Sequence, residues 1–196
     1  MPARPISTAL VALIAVAATA SGYAHTGTLQ VSGFWQGLSH PFTGVDHLLA
    51  MLAVGIWAVQ LGGRAVWLVP VTFVSVMSVS GLATMGRIAA PPLIEPAIVL
   101  SVLLLGILIM AVIRVPLAAG AALIGVFAVF HGAAHGMEVP VAVSGAAYAL
   151  GFSAATALLH VCGLGLGGLL ARLDRLDLVR YLGGAVTLGG AYLALA

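Results

Sequence analysis

The sequence predicts an all-α, polytopic integral membrane protein, with an N-terminal signal peptide followed by six transmembrane helices. Three observations carry that expectation. Of 196 residues, 62% are hydrophobic and only 6% are charged, against about 25% charged in an ordinary water-soluble domain. The mean hydropathy is +1.21. The apolar residues also fall into runs near the roughly 20 residues that a helix needs to cross hydrocarbon. Unpaired backbone groups are prohibitive in lipid, so runs this apolar are read as helices.

The elements follow in chain order. Arg4 is a short positive n-region, and residues 8–20 form an apolar run of signal-peptide length. Small residues at Gly22 and Ala24 suit cleavage after Ala24, with a competing site after Ala20. Residues 25–196 then form a single six-helix domain. Its spans are expected at about 44–62, 65–84, 93–113, 116–135, 142–170 and 178–196. The breaks between them carry turn chemistry: "GGR" at 62–64, "GRIAAPP" at 86–92, "RVP" at 114–116, "GMEVP" at 136–140 and "RLDRLDLVR" at 172–180. Arg64, Arg114, Arg172, Arg175 and Arg180 fall on one side of this topology and Arg87 on the other. The positive-inside rule therefore puts the five in the cytoplasm and both mature termini on the periplasmic side of a bacterial inner membrane.

Several function classes drop out. The net charge is +2 and there is no Lys/Arg-rich run for a phosphate backbone, so nucleic acid is not a partner. No Walker A sequence is present, so ATP is not expected to drive the protein. The lone Cys162 cannot form an internal disulfide. Gly163, Gly165 and Gly168 match G-x-G-x-x-G, but neither a preceding strand nor an acidic residue about 20 positions on supports a dinucleotide site. Close helix packing explains them.

What is polar is out of place. "HPFTGVDHLLAMLAVGIWAV", residues 40–59, carries His40, Asp46 and His47 where an apolar span begins. At the outer end of the fourth span stand His131, His135 and Glu138, whose i, i+4, i+7 spacing keeps them within about 60° of one another on a helix. The fourth span ends level with the start of the first, so two His/carboxylate clusters meet at one depth. Imidazole suits Zn, Cu, Fe and Ni, and carboxylates offset a double positive charge, so a divalent transition-metal ion is the expected partner. Without thiolates the site is weak enough to release what it binds, as transport requires.

Blander roles stand beside these. Thr43-Gly44-Val45-Asp46 reads as a variant capping box, with Asp46 stabilising its own helix start. Glu95, just before Pro96, suits a helix N-terminus as well as a metal path. His40 has a solvated-loop alternative, His160 is either a relay or a packed histidine, and Met51 is read as core. His25 becomes the mature N-terminus if cleavage follows Ala24, and its amine and imidazole would then chelate together.

On these residues the chain resembles the HupE/UreJ family of nickel permeases, found near hydrogenase and urease genes. "HPFTGVDHLLAMLAVGIWA" with "FHGAAHGME" carries the resemblance, supported by "HTG" after the signal, "EPAIVLSVLLLG" from Glu95 and "GFSAATALLHVCGLGLG" around His160. The resemblance implies secondary transport of Ni²⁺, sometimes Co²⁺, into the cytoplasm for metalloenzyme maturation, with the ion as substrate and no prosthetic group. Its motif positions fall on His40, Asp46, His47, His131, His135 and Glu138, with Glu95 as a further member. The segment "TLQVSGFWQGLSH" departs from the pattern by lacking an extra histidine. Nickel comes from the resemblance, since affinity order does not select one divalent metal.

Other classes remain open at this stage: a membrane metal-binding accessory or sensor protein, a haem-binding electron carrier, and an intramembrane metalloenzyme. The last lacks a Glu beside His131 to complete H-E-x-x-H, so an enzyme is not expected. Homo-oligomerisation is open too.

Overall fold

A computed structural model describes residues 33–85, 90–140 and 143–196. The expected signal peptide, His25 and Arg87 lie outside the described residues. Within residues 33–196 the described chain is helical, without strands: α1 (Gly33–Ser39), a 3-10 turn (His40–Phe42), α2 (Val45–Leu61), α3 (Ala65–Met85), α4 (Ile94–Met110), α5 (Leu117–Met137), α6 (Gly145–Arg172) and α7 (Leu176–Leu195).

The helix ends follow local chemistry. Gly62 and Gly63 adopt φ of 74° and 52° and reverse the chain between α2 and α3 in a conformation that costs glycine nothing. Pro116 precedes α5, and the Ser144 hydroxyl caps α6 by accepting from the Ala147 N–H at 3.4 Å. Thr43 and Asp46 do not form the expected capping box. The Thr43 hydroxyl turns back to the His40 carbonyl at 2.7 Å, and Asp46 engages His47 instead.

Four helices, α3, α5, α6 and α7, are long and apolar enough to cross a membrane. A fifth span results if α1, the 3-10 turn and α2 count as one segment, bent by 79°. The sixth expected span, α4, has 17 residues; at about 1.5 Å per residue it is shorter than a hydrocarbon core of about 30 Å. Large apolar side chains point outward, including Leu188 and Tyr192 at 73% and 72% exposure, as a lipid-facing surface requires. The segment before α2, expected as an outer loop, is in part the short helix α1, laid against α6.

Glycine sets the helix pairs. A Cβ on Gly132 of α5 would collide with the Met77 carbonyl of α3, and one on Gly136 with Gly81 and Thr84. One on Gly37 of α1 would strike the Tyr148 carbonyl of α6. Such contacts bring backbones together where no hydrophobic drive exists between helices. Polar links join other pairs: Trp57 and Gln60 of α2 donate to the carbonyls of Ile113 and Ile109, both at 3.1 Å. Of the three glycines of the G-x-G-x-x-G match, all inside α6, only Gly163 is a close contact, against Leu52 and Gly55 of α2. A Cβ on Gly165 or Gly168 would meet nothing within 4 Å, so close packing does not explain those two.

Gly132→Val would wedge α3 from α5 and lower the unfolding temperature in detergent by an amount equivalent to at least about 1–3 kcal/mol. Gly165→Val, whose Cβ meets nothing within 4 Å, should leave it nearly unchanged. Equal effects of the two would refute this account of the packing.

Candidate metal centre

Asp46 and His47 open α2, and His131 and His135 lie one turn apart near the end of α5. Glu138 caps that end. The 79° bend carries the 3-10 turn, and with it His40, over the same place. The structure thus gathers His40, Asp46, His47, His131, His135 and Glu138, which the sequence places at one depth.

The rings form a connected series. Centroids of His40 and His135 are 4.9 Å apart, those of His135 and His47 4.7 Å, and those of His47 and His131 5.1 Å. His131 and His135 are fully buried, and His47 is 8% exposed. The Phe73 ring of α3 lies 5.2 Å from His131 and 5.1 Å from His160 of α6, so both histidines pack against one apolar ring.

Hydrogen bonds fix which nitrogens are free. The Asp46 carboxylate accepts from the His47 backbone N–H at 2.7 Å and sits 2.8 Å from His47 Nδ1. A carboxylate is an acceptor, so Nδ1 holds the proton and Nε2 keeps its lone pair. His131 Nδ1 donates to the Phe127 carbonyl at 3.0 Å in the same way. His47 Nε2, His131 Nε2 and both nitrogens of His135 are buried without a hydrogen-bond partner among the described residues. His47 and His131 have the pattern of metal-ligating histidines, one nitrogen oriented by a carboxylate or carbonyl and the other free, whereas His135 has neither nitrogen held in this way.

At the rim His40 Nε2 donates to Glu138 Oε2 at 2.7 Å. His40, His135 and Glu138 each offer a ligand atom, and these atoms lie within 4.8 Å of one another, a set that can hold a metal ion. Glu95, in the first turn of α4, is not in the ring series; it shares with Glu138 a cavity of about 380 Å³ at the same end. Met51 is fully buried in the core. Tyr148 and Phe152 of α6 escaped the sequence reading. Phe152 stacks flat on His135 at 4.7 Å and 13°, and Tyr148 lies 5.9 Å from His40. Their spacing from "FHGAAHGME" carries no signal.

At the other end of α2, Gln60 shares a cavity with Arg114, Asp174 and Arg175. Histidines and arginines thus mark opposite ends of that helix.

A helical membrane protein with a buried imidazole–carboxylate cluster at one end is the class that fold and site define. Comparison with known proteins places it more narrowly. The family described as HupE / UreJ protein matches residues 9–193. Protein HupE of Rhizobium leguminosarum bv. viciae is 44% identical over 181 residues, covering 92% of this chain and 94% of that protein. The chain belongs to the HupE/UreJ family. No solved structure matches it.

The hydrogen bond from His40 holds the Glu138 carboxyl below its usual range, against the opposing effect of partial burial. A lowered folded-state pKa stabilises the protein above the ordinary glutamate value of about 4.3 and loses that contribution as pH falls through the folded value. Thermal stability in detergent should therefore fall on acidification through the carboxylate range, and Glu138→Gln should flatten the profile there. An identical profile in the variant would show that the pair contributes nothing.

Proposed function

We propose that the protein is a permease importing Ni²⁺, with Co²⁺ as the alternative cargo, across the cytoplasmic membrane for hydrogenase or urease maturation. The observation that carries this reading is the ring-to-ring series from the half-buried His40, paired with exposed Glu138, to buried His131, in which His135, His47 and His131 each keep a nitrogen without a hydrogen-bond partner among the described residues. The membership of the family and the resemblance to nickel permeases supply the metal.

On this reading the signal peptide is removed after Ala24 and residues 25–196 form one domain crossing the membrane six times. The short α4 and the bent α1–α2 segment are among those crossings. The mature termini and the cluster face the periplasm, and Arg64, Arg114, Arg172, Arg175 and Arg180 face the cytoplasm, as the positive-inside rule favours. Glu95 and His25 attract and capture the cation at the outer mouth. It is bound by His40, His135 and Glu138, handed to His47 and His131, and released inward past Phe73 and His160. Asp46 orients His47 and supplies negative charge against the cation. The membrane potential favours inward movement by about 2.3 kcal/mol per charge per 100 mV.

One observation favours a second reading, a membrane metal-binding accessory or sensor protein. The ring that contacts both His131 and His160 is the apolar Phe73, which offers no ligand inward of His131 and suits a protein that binds without passing the ion on.

Uptake of radiolabelled nickel at trace concentration, by transport-deficient bacteria at matched membrane protein levels, separates the two. The wild type should accumulate nickel. Asp46→Asn and His47→Ala should reduce uptake by about tenfold or more, the scale expected when a ligand or its orienting partner is lost. Wild-type-level uptake in Asp46→Asn would sink the central site. Metal binding by purified protein without uptake would favour the accessory reading. Protons compete with metal for imidazole, so uptake should weaken as external pH drops below about 6.5; a flat profile would argue against imidazole ligation.

A further inference from the structure

Tyr148 stands in the first turn of α6, 2% exposed, beneath the bend that carries His40. Its ring lies 5.9 Å from His40 and 5.8 Å from Phe152, the ring stacked on His135. Its hydroxyl is buried and has no hydrogen-bond partner among the described residues. Glu138 is bonded at 2.7 Å to the same His40 that the Tyr148 ring lies against.

A buried hydroxyl without a partner is costly, at about 1–3 kcal/mol on protein scales. Phenylalanine fills nearly the same volume without that cost, and Phe152, one turn further along α6, is a phenylalanine. The hydroxyl therefore has work that a benzene ring cannot do. Of the three groups that offer ligand atoms within 4.8 Å of one another, His40, His135 and Glu138, the Tyr148 ring lies against His40 directly and reaches His135 through Phe152, the ring stacked on it. Three protein ligands leave the remaining positions of a divalent cation to water. A water held by a divalent cation is a strong donor, and a phenol oxygen at the edge of the cluster can accept from it while its own O–H donates to a Glu138 oxygen.

We propose that Tyr148 is a positioning residue of the mouth site, its hydroxyl holding a water that remains on the bound divalent cation and joining that water to Glu138. The assignment rests on the reading of His40, His135 and Glu138 as cation ligands, and deepens it by giving the outer site a partly hydrated ion. The cation keeps water at the rim and sheds it further in, where His47 and His131 offer only imidazole nitrogen.

The test is calorimetric titration of Ni²⁺ into the full chain in lipid nanodiscs, with thermal unfolding recorded without and with Ni²⁺. Tyr148→Phe is compared with the wild type and with Tyr192→Phe, the same chemical change at a 72% exposed position on α7. Tyr148→Phe should weaken Ni²⁺ binding by about 10–100-fold, the usual scale for an outer-shell partner. It should leave the metal-free unfolding temperature equal or higher, since an unpaired buried hydroxyl has been removed. Tyr192→Phe should change neither quantity. Unchanged affinity in Tyr148→Phe overturns the proposal. So does a lower metal-free unfolding temperature accompanying the affinity loss, because the hydroxyl would then be supporting the fold. A wild type that binds no Ni²⁺ removes the metal reading of the cluster itself, and the role of Tyr148 with it.

Discussion

The contact on which the site depends is one in which nothing larger than a hydrogen atom fits. Gly132 and Gly136 press the backbone of α5 onto α3 at Met77 and Gly81. Successive residues on a helix are turned by about 100°, so the position before each glycine is buried beside this backbone contact rather than within it. Those positions are His131 and His135. A second hydrogen-sized contact, Gly37 of α1 on the Tyr148 backbone, holds the bend so that His40 arrives from the opposite side.

Burying this many titratable rings is costly unless they stay neutral and oriented. The chain meets the requirement differently along the series. His47 is held by a carboxylate next to it in sequence, His131 by a carbonyl one turn back, and His135 by a stacked benzene ring. His40, nearest the exterior, is paired with Glu138 in a contact that is part exposed on both sides. Orientation is thus given by buried partners inside and by a part-exposed hydrogen-bonded pair at the rim.

Hydropathy made α2, α3, α5, α6 and α7 legible nearly to the residue, because each is a run of apolar side chains ended by glycine, proline or arginine. The i, i+4, i+7 spacing made His131, His135 and Glu138 legible as one cluster at the end of α5, and antiparallel topology brought them level with His40, Asp46 and His47. Other features left no trace of that kind. "GFWQGLS" is short, and its two glycines read as breakers although they serve as contact surfaces for α6. Asp46 sits where a helix-capping carboxylate belongs, and only the structure turns it onto His47. Tyr148, Phe152 and Phe73 are aromatic residues in apolar segments, indistinguishable in sequence from those that face lipid.

The even spacing of the rings, near five ångströms at every step, has a kinetic consequence if the cargo is a metal ion. A path built of fixed ligands works by substitution, with each nitrogen joining the ion's shell as another leaves. Passage is then paced by how fast the ion exchanges its ligands rather than by how fast it diffuses. Ions of similar size and charge but different exchange rates would be sorted by speed as well as by affinity. Such a conduit is slow and saturates early, which suits a trace nutrient wanted in small numbers and tolerated in no excess.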